Sequence, residues 1–350
     1  MSTDAQDIVF LNTTEHSALI NEFTHGGSGR YLNLLDSMLE ELTLNKYPKT
    51  QRGTDEFRNL IIEERNKKKT RVEGVFVLYP WSNTLLRILD EEDFVFLRTV
   101  RNRNKIRANE QEILNGKSIG IIGLSVGYSV LMAMALERVA SNFKIADFDE
   151  IELSNLNRIY QPLTNIGINK AVAAKRAVLE LDPYISIEIF TSGINQDNIQ
   201  SFLTEGKKLD LLVDECDSGY VKYISRFFAR MYGIPVLMET SDRGVLDIER
   251  YDLDGNYPLL HGRFSEFVSE IEELKKLDRE LLLASIDFSK VSERGIESMG
   301  LIGKEIRTWP QLGTDVLSGG ATLATAARKI LLGMGIQSSR NYIDIESRIN

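Results

Sequence analysis

The chain sets polar residues capable of chemistry behind successive apolar runs. Gly123, Ser125 and Gly127 lie in the turn GLSVGYS, after KSIGII. A glycine turn lets backbone approach phosphate oxygens closely, and the helix that follows offers free N–H groups and a favourable dipole. Ser125 adds a hydroxyl donor. Asp147 ends the next apolar run, at about the distance from the first glycine where a ribose-binding acid is expected. Asn155 and Arg158 follow it within ADFDEIELSNLNR, and the planar guanidinium suits phosphate oxygens. Lys170 opens the helix pattern of IGINKAVAAKR, where a cation opposes the helix dipole. A bound anion explains that placement; an exposed lysine is the plain alternative. Asp214 and Asp217 close LLVDECDS, where unpaired buried carboxylates are costly. An acid there suits a metal–triphosphate complex, because Mg²⁺ takes one or two carboxylates plus phosphates. N-capping of the next helix is the alternative for Asp217. Singly, each feature has an ordinary structural explanation. Together they describe a nucleoside triphosphate site rather than a dinucleotide site.

The elements that must carry these residues alternate from residue 117. KSIGIIG, NFKIADFD, ISIEIF, KLDLLVDECD and IPVLMET read as strands, separated by helical SVLMAMALERVA, NKAVAAKRAVLELDP, DNIQSFLTEG and VKYISRFFARMYG. This pattern predicts an α/β fold, a Rossmann-like doubly wound, mainly parallel sheet with ligands at the carboxyl ends of its strands. Upstream, RYLNLLDSMLEEL (30–42) has helical spacing. VEGVFVLYPWSNTLLRIL (72–89) reads as a strand, a Pro turn and an apolar segment, with Tyr79 and Trp81 as core aromatics. The charge run EERNKKKTR (63–71) reads as a solvated helix end. Downstream, LDIERYDLDGNYPLLHGR suggests a hairpin around Asp254-Gly255. FSEFVSEIEELKKLDRELLLASI and GGATLATAARKILLGMG read as helices. The expected divisions are a small N-terminal α/β domain at 1–98, a nucleotide domain at 99–260 and a helical extension at 261–350.

Bulk composition narrows the function classes. A hydrophobic content of 43% over 350 residues supports a sizeable core. No run approaches the ~20 apolar residues of a membrane span, and the polar start MSTDAQDIVF lacks a signal-peptide pattern. A single cysteine excludes a disulfide framework, and with three histidines it argues against a thiolate-rich zinc site. The net charge of -9 argues against nucleic acid as the main partner. A soluble, cytoplasmic protein is expected.

Residues of about 100–260 resemble the ThiF/MoeB/ubiquitin-activating-enzyme superfamily of adenylating proteins. GLSVGYS, ADFDEIELSNLNR, IGINKAVAAKR, LDP and VDECDS carry the likeness, and the S-N-L-x-R element followed by G-x-x-K and a strand-end Asp is its specific part. The likeness extends to bacterial ThiF-type proteins sometimes fused to a nitroreductase-like domain, a pattern not visible in this sequence. It implies ATP and Mg²⁺ as cofactors. Asp147 becomes the ribose acid, Asn155, Arg158 and Lys170 the phosphate set, and Asp217 the magnesium-associated acid. RNRNKI resembles the arginine segment that reaches the ATP of the opposite subunit, which implies Arg103 and a homodimer. Adenylation of a carboxylate, at a small acid or a peptide or protein C-terminus, then transfer to an amine, amide or sulfur acceptor, is the implied activity. Residues 1–98 would then recognise the substrate.

The chain departs from the family pattern in places. Ser125 and Val126 thin the glycine loop, Ile159 replaces a common glutamine, and Lys222 stands where an arginine often follows the metal aspartate. The C-x-x-C zinc pairs and a downstream catalytic cysteine are missing, and Cys216 reads as a small core residue. Two other classes stay open: a nucleotide-binding interaction module without turnover, and a dinucleotide-dependent oxidoreductase that uses only the first loop and Asp147.

Overall fold

The computed structural model describes residues 7–349 except 28 and 266–269. The polar start at 1–6 and four residues of the expected 264–286 helix therefore lie outside the described residues. The chain divides into two compact units, Met1–Ala108 and Asn109–Asn350.

The first unit contains β1 (Val9–Leu11), α1 (Ser17–Thr24), β2 (Arg30–Asn33), α2 (Leu35–Lys46), α3 (Asp55–Asn66), α4 (Lys69–Glu73), β3 (Val75–Tyr79), β4 (Thr84–Ile88) and α5 (Glu91–Thr99). Its sheet runs β1-β3-β4-β2. The segment 30–42 is not helical throughout. Its first four residues pair in parallel with β4, and the helix begins only where Leu35, Leu39 and Leu42 join Leu89 in a small core. The apolar segment after the Pro turn is a strand, antiparallel to β3. Tyr79 is buried and stacks edge-on against half-buried Trp81. The run 63–71 is not a plain solvated end: Glu64 and Arg71 are buried and paired to each other.

The second unit follows from α6 (Ala108–Asn115): β5 (Ser118–Ile122), α7 (Gly127–Glu137), β6 (Asn142–Ala146), α8 (Lys170–Leu181), β7 (Ser186–Phe190), α9 (Ile199–Thr204), β8 (Leu211–Asp214), α10 (Gly219–Met231), β9 (Val236–Thr240) and β10 (Val245–Glu249). Then come α11 (Ile271–Leu274), α12 (Asp278–Ser285), α13 (Glu293–Leu301), α14 (Gly313–Leu331), β11 (Ser339–Tyr342) and α15 (Glu346–Ile349). The sheet order is β11-β10-β9-β8-β5-β6-β7. Strands β5 to β9 are parallel, and β10 and β11 add an antiparallel edge. Both β5 and β8 are buried throughout, as parallel strands covered on two faces must be. No helix of the described residues is long and apolar enough to cross a membrane.

The hairpin of this region lies earlier than 254–255. Thr240 pairs with Val245 across 241–244, where Arg243 and Gly244 both take positive φ. Residues after Arg250 cannot pair back on β10, because β11 occupies that edge. They bury Tyr251, Leu259 and Leu260 instead. The described part of 264–286 is helical over 271–285, as α11 and α12 joined by a 3-10 turn at Lys275–Leu277.

Candidate functional site

Chain order reverses between β5 and β8: β5 leads to β6 on one side, and β8 lies on the other. The crevice at the carboxyl ends of these two strands is where an open α/β sheet takes a ligand. GLSVGYS and DECDS both emerge there. Gly123 has φ +84, and a Cβ on it would lie 2.6 Å from the Glu215 carbonyl oxygen. A Cβ on Gly127 would meet Ile121 at 2.9 Å. The glycines retained in the thinned loop are thus those that strand-end and helix packing require.

Helices α7, α8 and α10 follow β5, β6 and β8 and begin on this side of the sheet. Asn169 caps α8, accepting from Ala171 N at 3.0 Å and Val172 N at 3.3 Å. Ser218, not Asp217, caps α10, accepting from Val221 N at 3.1 Å. Val126 holds the cap position of α7 and supplies no side-chain cap. The α7 terminus therefore keeps first-turn donors and its dipole for an anion.

The polar residues gather around that terminus. Asp147 is buried, and its two oxygens accept from Leu124 N at 2.7 Å and Asp149 N at 2.8 Å. Burial pushes its carboxyl up; the Lys170 charge and the two N–H groups act the other way. Each oxygen retains a lone pair. Arg158 Nε donates to Ser125 Oγ at 3.0 Å. Burial lowers this guanidinium, and the Asp217 carboxylate opposes that shift. Lys170, also buried, donates to Asp149 Oδ2 at 2.9 Å. That ion pair accounts for a lysine in a first turn without any ligand, and it keeps a cation beside Asp147. Asn155 Oδ1 accepts from Glu152 N at 3.0 Å, closing the capping box of the short turn that leads to Arg158. Arg103 is exposed and belongs to the first unit.

The two acids of DECDS separate into distinct roles. Asp214 is fully buried and paired with Arg226 and Lys222. Burial would raise it, but the two cations hold it at about 2. Arg226 in turn binds Glu249 at 2.6 Å. Asp214 is structural. Asp217 is exposed. Among the described residues no three His, Cys, Asp or Glu side chains converge on a metal position. One exposed carboxylate beside an arginine is no protein cage, yet it fits Mg²⁺ that brings phosphates and water as its other ligands. Cys216 is half-buried against the core, its thiol donating to Asp214 at 3.0 Å.

Several participants escaped the sequence patterns. Asp149 stood inside a quoted motif without a role, and Asn169 could have been found as a cap preceding a helix start. Glu215, whose Oε1 accepts from Glu239 N at 2.9 Å, and Asp278, whose Oδ1 accepts from Ser218 Oγ at 2.6 Å, gave no signal. Neither did 306–311, which with Ser154, Asn157 and Arg158 lines an open groove of about 430 Å³ that includes Trp309. Asn157 Nδ2 ties the two walls, donating to Gln311 O at 2.7 Å.

Residues 99–244 match the ThiF family, and the chain carries a domain of that family. Over 274 residues, 78% of this chain, it is 38% identical to an uncharacterized protein of Mycobacterium tuberculosis (strain CDC 1551 / Oshkosh), covering 38% of that protein. It is 30% identical over 122 residues, 34% of this chain, to a probable molybdopterin-synthase adenylyltransferase of Porphyra purpurea, covering 31% of it. The chain thus spans about a third of the length of these curated relatives. The structure of E. coli tRNA N6-threonylcarbamoyladenosine dehydratase, TcdA, in complex with AMP superposes with a TM-score of 0.51 at 14% identity. The match covers 69% of this chain and 97% of that one, and at this identity the likeness is one of fold.

Proposed function

We propose that this ThiF-family chain binds ATP at the carboxyl ends of β5, β6 and β8 and adenylates a substrate carboxylate. The observation that carries the reading is the uncapped start of α7 at the sheet's switch point, with Ser125, Arg158, Lys170 and Asp217 around it. In the proposed step a carboxylate oxygen attacks the α-phosphorus, the bond to the bridging oxygen breaks, and pyrophosphate leaves with the electron pair. The acyl-adenylate then passes its acyl group to an amine, amide or sulfur acceptor, releasing AMP.

The chain's own residues contribute position and charge rather than a nucleophile. The α7 N–H groups and Arg158 hold the phosphates, Lys170 faces charge developing on them, and Asp147 accepts from the ribose through its remaining lone pairs. Asn155 shapes the turn that presents Arg158. Mg²⁺, when bound beside Asp217, neutralises phosphate charge. By resemblance, Arg103 serves the nucleotide of a partner copy in a homodimer, and residues 1–98 recognise a small acid, peptide or small protein substrate.

ATP–pyrophosphate exchange across a panel of carboxylates, including peptide C-termini, tests the reading. Exchange that depends on one class of acid supports it. Exchange that survives both Asp217→Ala and Lys170→Ala sinks the site, and binding of NADH without binding of ATP sinks the reading.

A further inference from the structure

Asp217 is exposed, yet both of its neighbours are fixed. On the strand side, Cys216 donates to Asp214 Oδ1 twice, from its N–H at 3.3 Å and its thiol at 3.0 Å. On the helix side, the Ser218 hydroxyl donates to Asp278 Oδ1 at 2.6 Å while it accepts from Val221 N. Tyr220 N donates to the same Asp278 oxygen at 2.9 Å. Asp278 lies 60 residues further along the chain, as the first residue of α12. Contact between the two helices is close: a Cβ on Gly219 would sit 2.2 Å from Leu282 N.

We propose that Asp278 is a positioning residue of the nucleotide site, holding the 216–218 turn so that Asp217 presents its carboxylate in one place. The proposal rests on the reading that Asp217 serves a metal–nucleotide complex. A carboxylate on a free loop loses conformational entropy when it binds, and that loss subtracts from affinity. A turn hydrogen-bonded on both sides has already lost that freedom on folding. An acid suits this position because it lies at the N-termini of α10 and α12 together, where negative charge is favourable. It also fills the α10 terminus with an internal carboxylate, which leaves the phosphates to α7.

The test is ATP binding to the full chain by calorimetry across a Mg²⁺ series, with melting temperature measured in parallel. Asp278→Ala is expected to raise the Mg²⁺ needed for half-maximal binding several-fold, up to the roughly tenfold that losing a direct hydrogen-bond partner of a metal ligand costs. Asp278→Asn keeps an oxygen acceptor and should stay within about twofold of wild type. An Asp278→Ala protein that melts normally with an unchanged Mg²⁺ response overturns the proposal. If that variant does not fold, Ser218→Ala removes the hydroxyl link to Asp278 together with the α10 cap and leaves the Tyr220 N–H link in place; the same shift supports the proposal, and an unchanged response overturns it. Asp217→Ala separates the two levels. If it abolishes the Mg²⁺ response while Asp278→Ala leaves it intact, only the positioning role fails. If Asp217→Ala itself changes nothing, the nucleotide-site assignment of Asp217 fails as well.

Discussion

Around Arg71 and around Glu239 the chain buries acids in two opposite ways. In the first unit, Arg71 holds Asp93 with two parallel bonds of 2.6 and 2.7 Å and Glu64 with a third of 2.7 Å. Burial alone would raise Glu64, but hydrogen bonds from Lys67 and Tyr47 and the charge of Lys46 hold it at about 2. In the second unit, Glu215 follows β8 and Glu239 lies in the neighbouring β9, and Glu215 Oε1 accepts from Glu239 N at 2.9 Å. Burial, with Asp315 adding repulsion, pushes Glu239 up to about 8. Its buried Oε2 has no hydrogen-bond partner among the described residues, and a Cβ on Gly319 would lie 2.3 Å from it. The first arrangement is how a fold stabilises buried charge. In the second, burial pushes both carboxyl groups up, with no cation among the described residues paired to Glu239 to oppose it, and shifts of this kind are common at functional sites. A buried acid is informative about function only once its partners are known.

The two regions respond to pH with opposite signs. Glu64 has a depressed value, so its contribution is present above its unfolded value of 4.5 and is lost as pH falls towards about 2. Glu239 is raised, so the native state holds its proton between 4.5 and about 8. Its contribution is complete below 4.5 and is lost as pH rises through about 8.

Substitutions can break the contrast at either end. The largest expected effect is at Arg71→Ala, which strands Glu64 and Asp93 and should cost about 3–5 kcal/mol in denaturant unfolding. No comparable loss would mean the cluster is not what holds that unit. Arg158→Ala should instead lower ATP–pyrophosphate exchange by roughly 10²–10³, with the unfolding midpoint nearly unmoved. A large loss of stability with normal exchange would reverse the assignment. At Glu239→Gln the effect is one of slope. Wild type should lose on the order of 1.4 kcal/mol per pH unit from this group between about pH 5 and 8, and the variant's melting temperatures should fall less across that range. Equal slopes would remove Glu239 from the comparison. Smallest of all, Ser125→Ala removes one neutral partner of Arg158 and should weaken ATP binding by about 0.5–1.5 kcal/mol.

Much of this was legible one residue at a time. The apolar runs at 118–122 and 211–214 announce buried parallel strands, and the polar residues that follow announce the crevice. The pattern failed where pairing partners lie far apart in sequence. Arg30–Asn33 is a strand because β4 is there to receive it. The segment 250–260 is no hairpin because β11, some 90 residues later, has taken the edge. Glu64 and Arg71 sit in a charge run that any window reads as solvated, and their burial depends on Asp93.

The sequence by itself determined the alternation of strands and helices, the glycine turn and the order in which Asp147, Arg158, Lys170 and Asp217 follow the strands. Those properties come from local periodicity and chain order. Tertiary structure alone decided that Asp214 is structural and Asp217 exposed, that Lys170 has Asp149 as a partner, and that α7 rather than α8 or α10 keeps an open N-terminus. Each of those depends on which distant group fills a hydrogen bond, and spacing along the chain does not carry that information.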